Sequence, residues 1–281
     1  MIKDLTIVFN AYYSEKSLSK VLKNLNKFKI IIIENSQQIS IKNKLEKKFK
    51  NVKVLIPKKN LGLAGGYNMG IKNSKTKYIF LNNPDIKIKS SSIIKLLEIA
   101  KKSRDFGIIA PVYDDEKIFK NYNKIISKNN KYGLISVDRI DNNFLINKLN
   151  IKNNLFNENF FLYFETIDFC LNLKRKGKKL FIAKKIKFTH FGSKSIDSKL
   201  DYVVKLTRSW HYNWSKFYYY RKNFNYIYAF TKIMPNFYQS LKNSLMNLIL
   251  FNFKALKLNL TEIYGICSAI FCFSSFYRAK K

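Results

Sequence analysis

Asn60-Leu-Gly-Leu-Ala-Gly-Gly-Tyr-Asn-Met-Gly70 sits between the strand-like Val52-Lys-Val-Leu-Ile56 and the apolar run Tyr78-Ile-Phe-Leu81. A glycine-rich turn therefore opens a helix inside a β-α-β unit. Leu81-Asn-Asn-Pro-Asp85 ends the second strand in an acid, and Phe160-Phe-Leu-Tyr-Phe-Glu165-Thr-Ile-Asp168 carries two further carboxylates into a later helix. Gly62, Gly65, Gly66 and Gly70 let backbone approach a ligand closely, and a helix N-terminus favours phosphate. The same glycines serve equally well for a tight turn and close helix–sheet packing. Their spacing is neither G-x-G-x-x-G nor a P-loop, since no Gly-Lys-Ser/Thr follows. Taken in order, the three segments point to a site for a metal ion and a diphosphate.

Working outward, strand and helix signals alternate. Ile7-Val8-Phe9 reads as a strand, 14–28 as a helix opened by Ser14 with Glu15 in its first turn, and Ile30-Ile-Ile-Ile33 as a strand covered on both faces. Helices are expected at 41–49 and 92–102. This rhythm with right-handed crossovers predicts an α/β fold, a mostly parallel sheet flanked by helices on both faces. Sites in such sheets lie beyond the carboxyl ends of the strands, where Glu34 and Asp85 fall. Between 106 and 141 the pattern predicts one strand (108–112) and loops. Residues 160–176 read as an apolar approach and a helix stopped by Gly177, and Leu180-Phe-Ile182 and Phe188-Thr-His190 follow as strand-like pieces. Further on, Leu241, Leu245, Ile249, Phe253, Leu256 and Leu260 fall on one helical stripe.

Composition narrows the class. The 281 residues carry 53 Lys+Arg against 18 Asp+Glu, a net charge of +35 that calls for a polyanionic neighbour or reflects a Lys-, Asn- and Ile-rich composition bias. Such a bias explains part of the lysine count but not the shortage of acids. Nucleic acid, an anionic membrane surface and a diphosphate-bearing lipid all qualify, but the basic residues are spread and no nucleic-acid-reading module is present, so nucleic acid is not expected. An apolar content of 47% with 16% aromatics excludes general disorder. Cys170, Cys267 and Cys272 form no C-x-x-C pair and read as reduced thiols. Leu5-Thr-Ile-Val-Phe9 follows the first residues directly without reading as a secretory signal, and the apolar run 263–277 is too short to span a bilayer, so the chain reads as cytoplasmic.

The candidate groups each have a plainer reading. Asp85, after Pro84, can hold a divalent cation that bridges two phosphates, or complete an Asn/Pro/Asp turn. Glu165 and Asp168 share a helix face and can act as a base, or merely complement a helix dipole. His190 can ligate a metal, contact a diphosphate or serve as a hydrogen-bonded structural residue. His211, inside Trp210-His-Tyr-Asn-Trp214, reads as packing.

These segments resemble the inverting family-2 glycosyltransferases, most closely their bacterial rhamnosyltransferase-like branch. That family carries N-x-G-x-A-G-G-x-N-x-G, here Asn60 to Gly70, and L-x-N-P-D, here Leu81 to Asp85. It also carries F-D-E-x-F-F-x-Y-x-E-D-x-D, here Phe156-Asn-Glu158-Asn-Phe-Phe-Leu-Tyr-Phe-Glu165-Thr-Ile-Asp168. A downstream His and Ser match His190 and Ser195, and Y-Y-x-x-R-N resembles Tyr219-Tyr-Arg-Lys-Asn223.

The resemblance implies a GT-A catalytic domain over 1–225, with 226–281 as a basic, aromatic, amphipathic helical extension. It implies a dTDP- or UDP-sugar donor held by Ala11, Tyr12, Glu34, Asn60, Gly62, Gly65, Gly66, Asn68 and Asn83. It implies Mg²⁺ or Mn²⁺ on Asp85 with His190, and a base drawn from Glu165 and Asp168. The basic, aromatic C-terminal part suits a peripheral enzyme at an anionic membrane, the inner face of a bacterial plasma membrane, with a glycan on a polyprenyl diphosphate or a lipid A core as acceptor. Helices packing on their own domain or forming a dimer account for it equally well. Three positions depart from the family. Glu34 replaces an Asp that accepts the imide N–H of the base, Ala11-Tyr12-Tyr13 replaces Thr-Tyr-Asn, and Thr166 replaces the second acid of the E-D pair. Either Glu165 or Asp168 then carries the base's role, or the chain is a catalytically impaired binding subunit.

Overall fold

The computed structural model describes residues 2–103, 105–114, 120–127, 132–151, 155–190 and 200–279. Ser195 and parts of the 113–154 region lie outside them. The chain forms two compact units, Met1–Asn157 with Thr166–Asp197, and Glu158–Glu165 with Ser198–Lys281.

The first unit opens with the alternation read above: β1 (Leu5–Ala11), α1 (Glu15–Leu22), β2 (Lys29–Glu34), α2 (Ile39–Lys48), β3 (Val52–Leu55), α3 (Gly62–Asn73) and β4 (Tyr78–Asn82). It continues with β5 (Ile86–Lys87), α4 (Ser90–Lys102), β6 (Phe106–Tyr113), β7 (Ile125–Ser127), β8 (Leu134–Val137), β9 (Phe144–Asn147), α5 (Glu165–Arg175) and β10 (Lys179–His190). The sheet runs β3-β2-β1-β4-β9-β6-β10-β8-β7, with β5 against β10. β1, β2, β3 and β4 pair in parallel, so the chain winds outward and then crosses back beside β1, creating a switch point at the carboxyl edge.

Side chains of successive strand residues alternate between two apolar layers. Ile7, Phe9, Ile30, Ile32 and Phe80 face the layer covered by α1, α2 and α4, while Val8, Ile31, Ile33, Ile79 and Leu81 face the one covered by α3 and α5. The α3 contact is unusually close. A Cβ on Gly66 would lie 2.3 Å from Asn10 Oδ1, and one on Gly70 would lie 2.3 Å from Val8 Cγ1.

The sheet is more mixed than the sequence pattern predicts. Phe144–Asn147 inserts antiparallel between β4 and β6, and β7 and β8 add antiparallel strands in a region expected to be mostly loop. These strands are three or four residues long, too short for a period to stand out. The two pieces expected near 180 and 190 are one strand, β10, bent by a register shift between Ala183 and Lys187.

In the second unit, α6 (Asp201–Asn223), α7 (Tyr226–Ile249) and α8 (Phe253–Ile270) bury Trp210, Trp214 and Phe217 against Ala229, Ile233, Ile266 and Ala269. By these contacts α6 belongs with the last two helices, whereas the motif reading placed it in the domain before 226. The apolar stripe from Leu241 to Leu260 is not one helix: α7 ends at Ile249, Phe251 takes a left-handed φ of 52°, and Asn252 Oδ1 caps α8 by accepting from Ala255 N–H. His211 is a packing residue, wholly buried, its Nε2 2.8 Å from the Tyr277 carbonyl oxygen. Burial lowers its pKa to about 3, with the nearby Arg278 charge adding to the effect and the Tyr277 carbonyl opposing it.

Gly70→Ala should cost about 1–3 kcal/mol in chemical denaturation despite its gain in helix propensity, because the new methyl has no room against Val8. A neutral result would mean that α3 stands further from β1. His211 gives a pH signature. The folded imidazole stays neutral while the unfolded one takes up a proton below its usual value near 6.5, so stability should fall as pH drops from 6.5 toward about 3. Denaturation midpoints at pH 7.5 and 5 should diverge more in the wild-type chain than in His211→Gln.

Candidate active site

β1, β2 and β4 carry polar residues, Asn10, Glu34 and Asn82, at or next to their carboxyl ends, and asparagines tie that edge together. Asn10, next to last in β1, accepts from Asn35 Nδ2 (2.5 Å) and donates to the Gly62 carbonyl (2.9 Å). Asn35 Oδ1 in turn accepts from Leu61 N–H, and Asn60 Oδ1 from Gly62 N–H, both at 2.9 Å. Gly62 has a φ of 69°, which a residue without Cβ adopts freely and which lets the chain turn into α3. The glycine-rich turn is thus clamped to the ends of β1 and β2, with Gly65 and Gly66 buried in the helix it opens.

Glu34 closes β2 with its backbone opposite Ala11 in register, and Ala11 carbonyl accepts from Asn35 N–H at 2.9 Å. The Glu34 side chain is 0% exposed. Its Oε1 accepts from Ser36 N–H (3.0 Å) and Ser36 Oγ (2.5 Å), while Oε2 finds no hydrogen-bond partner among the described residues. A buried acceptor left in that state costs free energy that a ligand's donor can return. Half-buried Tyr12 stands just beyond: burial raises its phenol pKa, and the charges of Tyr13 and Glu34 raise it further. Because Glu34 is wholly covered, a ligand reaches Oε2 only through a local opening of this edge.

Across the switch point, Asn82 ends β4 with its Oδ1 also buried and without a partner among the described residues. Asn83 follows: its N–H donates to Asn143 Oδ1 and its own Oδ1 accepts from Tyr67 OH, both at 2.8 Å. Asn143 also donates to Tyr113 OH at 2.6 Å. Tyr113 has its pKa raised mainly by burial, an effect to which the charges of Asp85 and Asp141 add, so Asp85 stands close to it. Asp85 itself is part-exposed after the buried Pro84. Ile86, its successor, pairs with His190 in the β5–β10 register, which brings the backbones of the two expected metal residues together. Among the described residues no three His, Cys, Asp or Glu side chains form a metal cage. A divalent ion on a diphosphate does not require one, since it takes one or two carboxylates and completes its shell with phosphate oxygens and water. Asp85 fits that pattern.

Asn68 serves elsewhere, its amide bracing Phe156 with Nδ2 on the carbonyl (2.9 Å) and Oδ1 on the N–H (3.0 Å). Glu165 and Asp168 open α5, Glu165 grouping with the second unit and Asp168 with the first. Both are buried, and Asp168 Oδ2 accepts from Asn172 at 3.2 Å. Thr166, in place of the family's second acid, is buried too. Ahead of Glu165, Tyr163 and Phe164 hold left-handed φ angles of 67° and 63°. Such angles are costly for ring-bearing residues, and packing sustains them here. Tyr163 lies 5.6 Å from Tyr212, and Phe164 lies 5.8 Å from Tyr212 and 5.5 Å from Tyr219. Burial raises the Tyr163 pKa, opposed by Arg208 and aided by the Glu165 charge.

Sequence reasoning missed Asn10, Asn35, Asn82 and Asn143. For the first three a signal existed, since each is an amide within, ending or just following an otherwise apolar strand at the edge where ligands bind. Asn143, held at a φ of 50°, had no such mark.

Comparison with known proteins bears on the family and the fold. A family model described as glycosyl transferase family 2 matches residues 6–174. The low-salt glycan biosynthesis hexosyltransferase Agl10 of Haloferax volcanii is 23% identical over 198 residues, 63% of this chain, and the chain spans 64% of that protein's length. The mannosyltransferase PcManGT from Pyrobaculum calidifontis, solved with GDP-Man and Mn²⁺, matches 95% of this chain and 86% of its own at 9% identity and a TM-score of 0.55. GalNAc-T7, solved with UDP, GalNAc and Mn²⁺, matches 74% of this chain and 51% of its own at 13% identity and a TM-score of 0.54. The fold is GT-A, with a mixed sheet that is mostly parallel in its core, and C-terminal helices.

Proposed function

The chain belongs to glycosyl transferase family 2, and from that premise we propose that it is an inverting, metal-dependent glycosyltransferase. In this reading it moves a hexosyl group from a nucleoside-diphosphate donor to a hydroxyl of a lipid-linked or surface-polysaccharide glycan. The observation that carries the donor assignment is the partnerless, buried Oε2 of Glu34 at the carboxyl edge. The imide N–H of uracil or thymine is the donor that such an acceptor suits, with Ala11 and Tyr12 beside it. Asn60, Gly62, Gly65 and Gly66 shape the turn that receives the diphosphate, and Asn83 holds the opposite wall. Rhamnose as the sugar rests on the motif resemblance alone.

Asp85 and His190 would hold Mg²⁺ or Mn²⁺, which when bound offsets the charge gathering on the departing nucleoside diphosphate. Relatives of this fold solved with Mn²⁺ support the metal. Glu165 is the proposed base that takes the proton from the attacking acceptor hydroxyl. Asp168 is the alternative base, and its enclosure with Asn172 suits it to positioning the helix start. The net charge of +35 supports an acceptor met at an anionic membrane surface, the inner face of the plasma membrane.

A second reading, a binding subunit with an impaired centre, is favoured by buried Thr166 where the family has an acid.

Titration calorimetry with UDP and dTDP, each with and without Mn²⁺, tests the donor site. One nucleotide should bind in a metal-dependent way, and Asp85→Ala should weaken it by about tenfold or more. Absence of heat with both nucleotides would remove the transferase reading. Glu165→Gln should lower turnover by about 10²–10⁴ while leaving the nucleotide Kd unchanged. If Thr166→Asp instead raises turnover by orders of magnitude, the impaired-centre reading gains.

A further inference from the structure

Within the second unit the hairpin of α7 and α8 buries Ala229, Ile233, Ile266 and Ala269 near its base, but toward its tip the polarity is turned inside out. Its interior seam is built of hydroxyls, amides and a carboxylate. Ser240 Oγ donates to Glu262 Oε2 at 2.7 Å, and Ser209 Oγ reaches Glu262 Oε1 at 3.4 Å. Asn247 Nδ2 donates to Asn259 Oδ1 at 3.0 Å, and Ser244 Oγ to the Ser240 carbonyl at 2.8 Å. Ser240 and Ser244 are 4% and 5% exposed. Toward solvent stand Leu245, Met246, Ile249, Leu250, Phe251 and Phe253, between 50% (Met246) and 77% (Phe251) exposed. A helix that faces water does the opposite.

The close packing matches this inversion. A Cβ on Gly265 of α8 would lie 2.5 Å from the Trp210 carbonyl oxygen of α6, so small and polar residues bring these helices together. Helices that pack within lipid use the same means, because apolar side chains gain nothing there by turning inward. A contiguous apolar surface of this kind marks something that covers it.

Charge selects the cover. In α7, α8 and their turn the basic side chains Lys232, Lys242, Lys254 and Lys257 are all exposed, and the one acid, Glu262, is committed to the seam. A bilayer with anionic headgroups supplies both complements, acyl chains for the apolar tip and phosphates for the lysines. No helix among the described residues is long and apolar enough to cross a membrane.

We propose that residues 245–253, the end of α7, the turn and the start of α8, insert into the headgroup–acyl boundary of an anionic bilayer, with Lys242, Lys254 and Lys257 on its phosphates. The proposal deepens the membrane-presented acceptor of the preceding subsection, though its geometry is independent of the donor site.

The test is flotation of the full chain with phosphatidylcholine vesicles, with and without phosphatidylglycerol, alongside nucleotide titration and light scattering. The wild-type chain should float with the anionic vesicles. Ile249→Asp with Phe251→Asp, both on exposed side chains, should reduce partitioning by about tenfold or more with nucleotide binding unchanged. Exchange of Lys242, Lys254 and Lys257 for Gln should abolish the preference for anionic vesicles. A wild-type chain that does not float, a double variant that floats equally well, or a dimer that the double variant dissociates would overturn the proposal. Loss of the donor reading would show instead as absent nucleotide heat with flotation intact.

Discussion

The approach of α3 to β1 governs the first unit, and it is set by two missing side chains. Without Cβ atoms at Gly66 and Gly70, the helix settles onto Asn10 and Val8 at a distance that no other residue permits. Asn10 is then trapped between sheet and helix, where its amide has to find partners, and it finds Asn35 and the Gly62 carbonyl. The turn into α3, the end of β1 and the residue after β2 become one hydrogen-bonded body. Glu34 inherits its place from that body, because its neighbour Asn35 is one of the clamps. The carboxylate oxygen that lacks a partner among the described residues therefore sits beside a hydrogen-bonded frame.

Much of this was legible in the chain. The long apolar run of β2 and the alternation through Leu81 gave the parallel half and its order, and the edge rule placed Glu34 and Asp85 at its rim. The antiparallel insertion of β9 was not legible, since three apolar residues between Asn143 and Asn147 have no period to read. The bend in β10 also hid one strand as two, because lysines fill the shift between Ala183 and Lys187. At the site itself, acidic and glycine positions stood out by type, while the amides that fix them did not. Asparagine is so frequent here that its structural uses are lost among its solvent-facing ones.

The C-terminal helices show a different failure of pattern. Leu241 to Leu260 do recur at helical spacing, and the expected stripe exists as chemistry but not as one helix or one buried face. Asn252 before a run of helix formers was the available cap signal. Burial in this unit is divided along the hairpin: Ile233 and Ile266 lie inside near its base, whereas at its tip serines and asparagines lie inside and Ile249, Phe251 and Phe253 lie outside.

The paired left-handed residues before α5 have one more consequence. Tyr163 and Phe164 hold their angles only because their rings are seated on Tyr212 and Tyr219 of α6. The first carboxylate of α5 follows immediately, so the mechanical reference frame of Glu165 is α6. Its positional tolerance is that of a ring stack: where α6 slackens, the backbone of residues 163–164 gains room to relax toward ordinary angles, and the start of α5 moves with it.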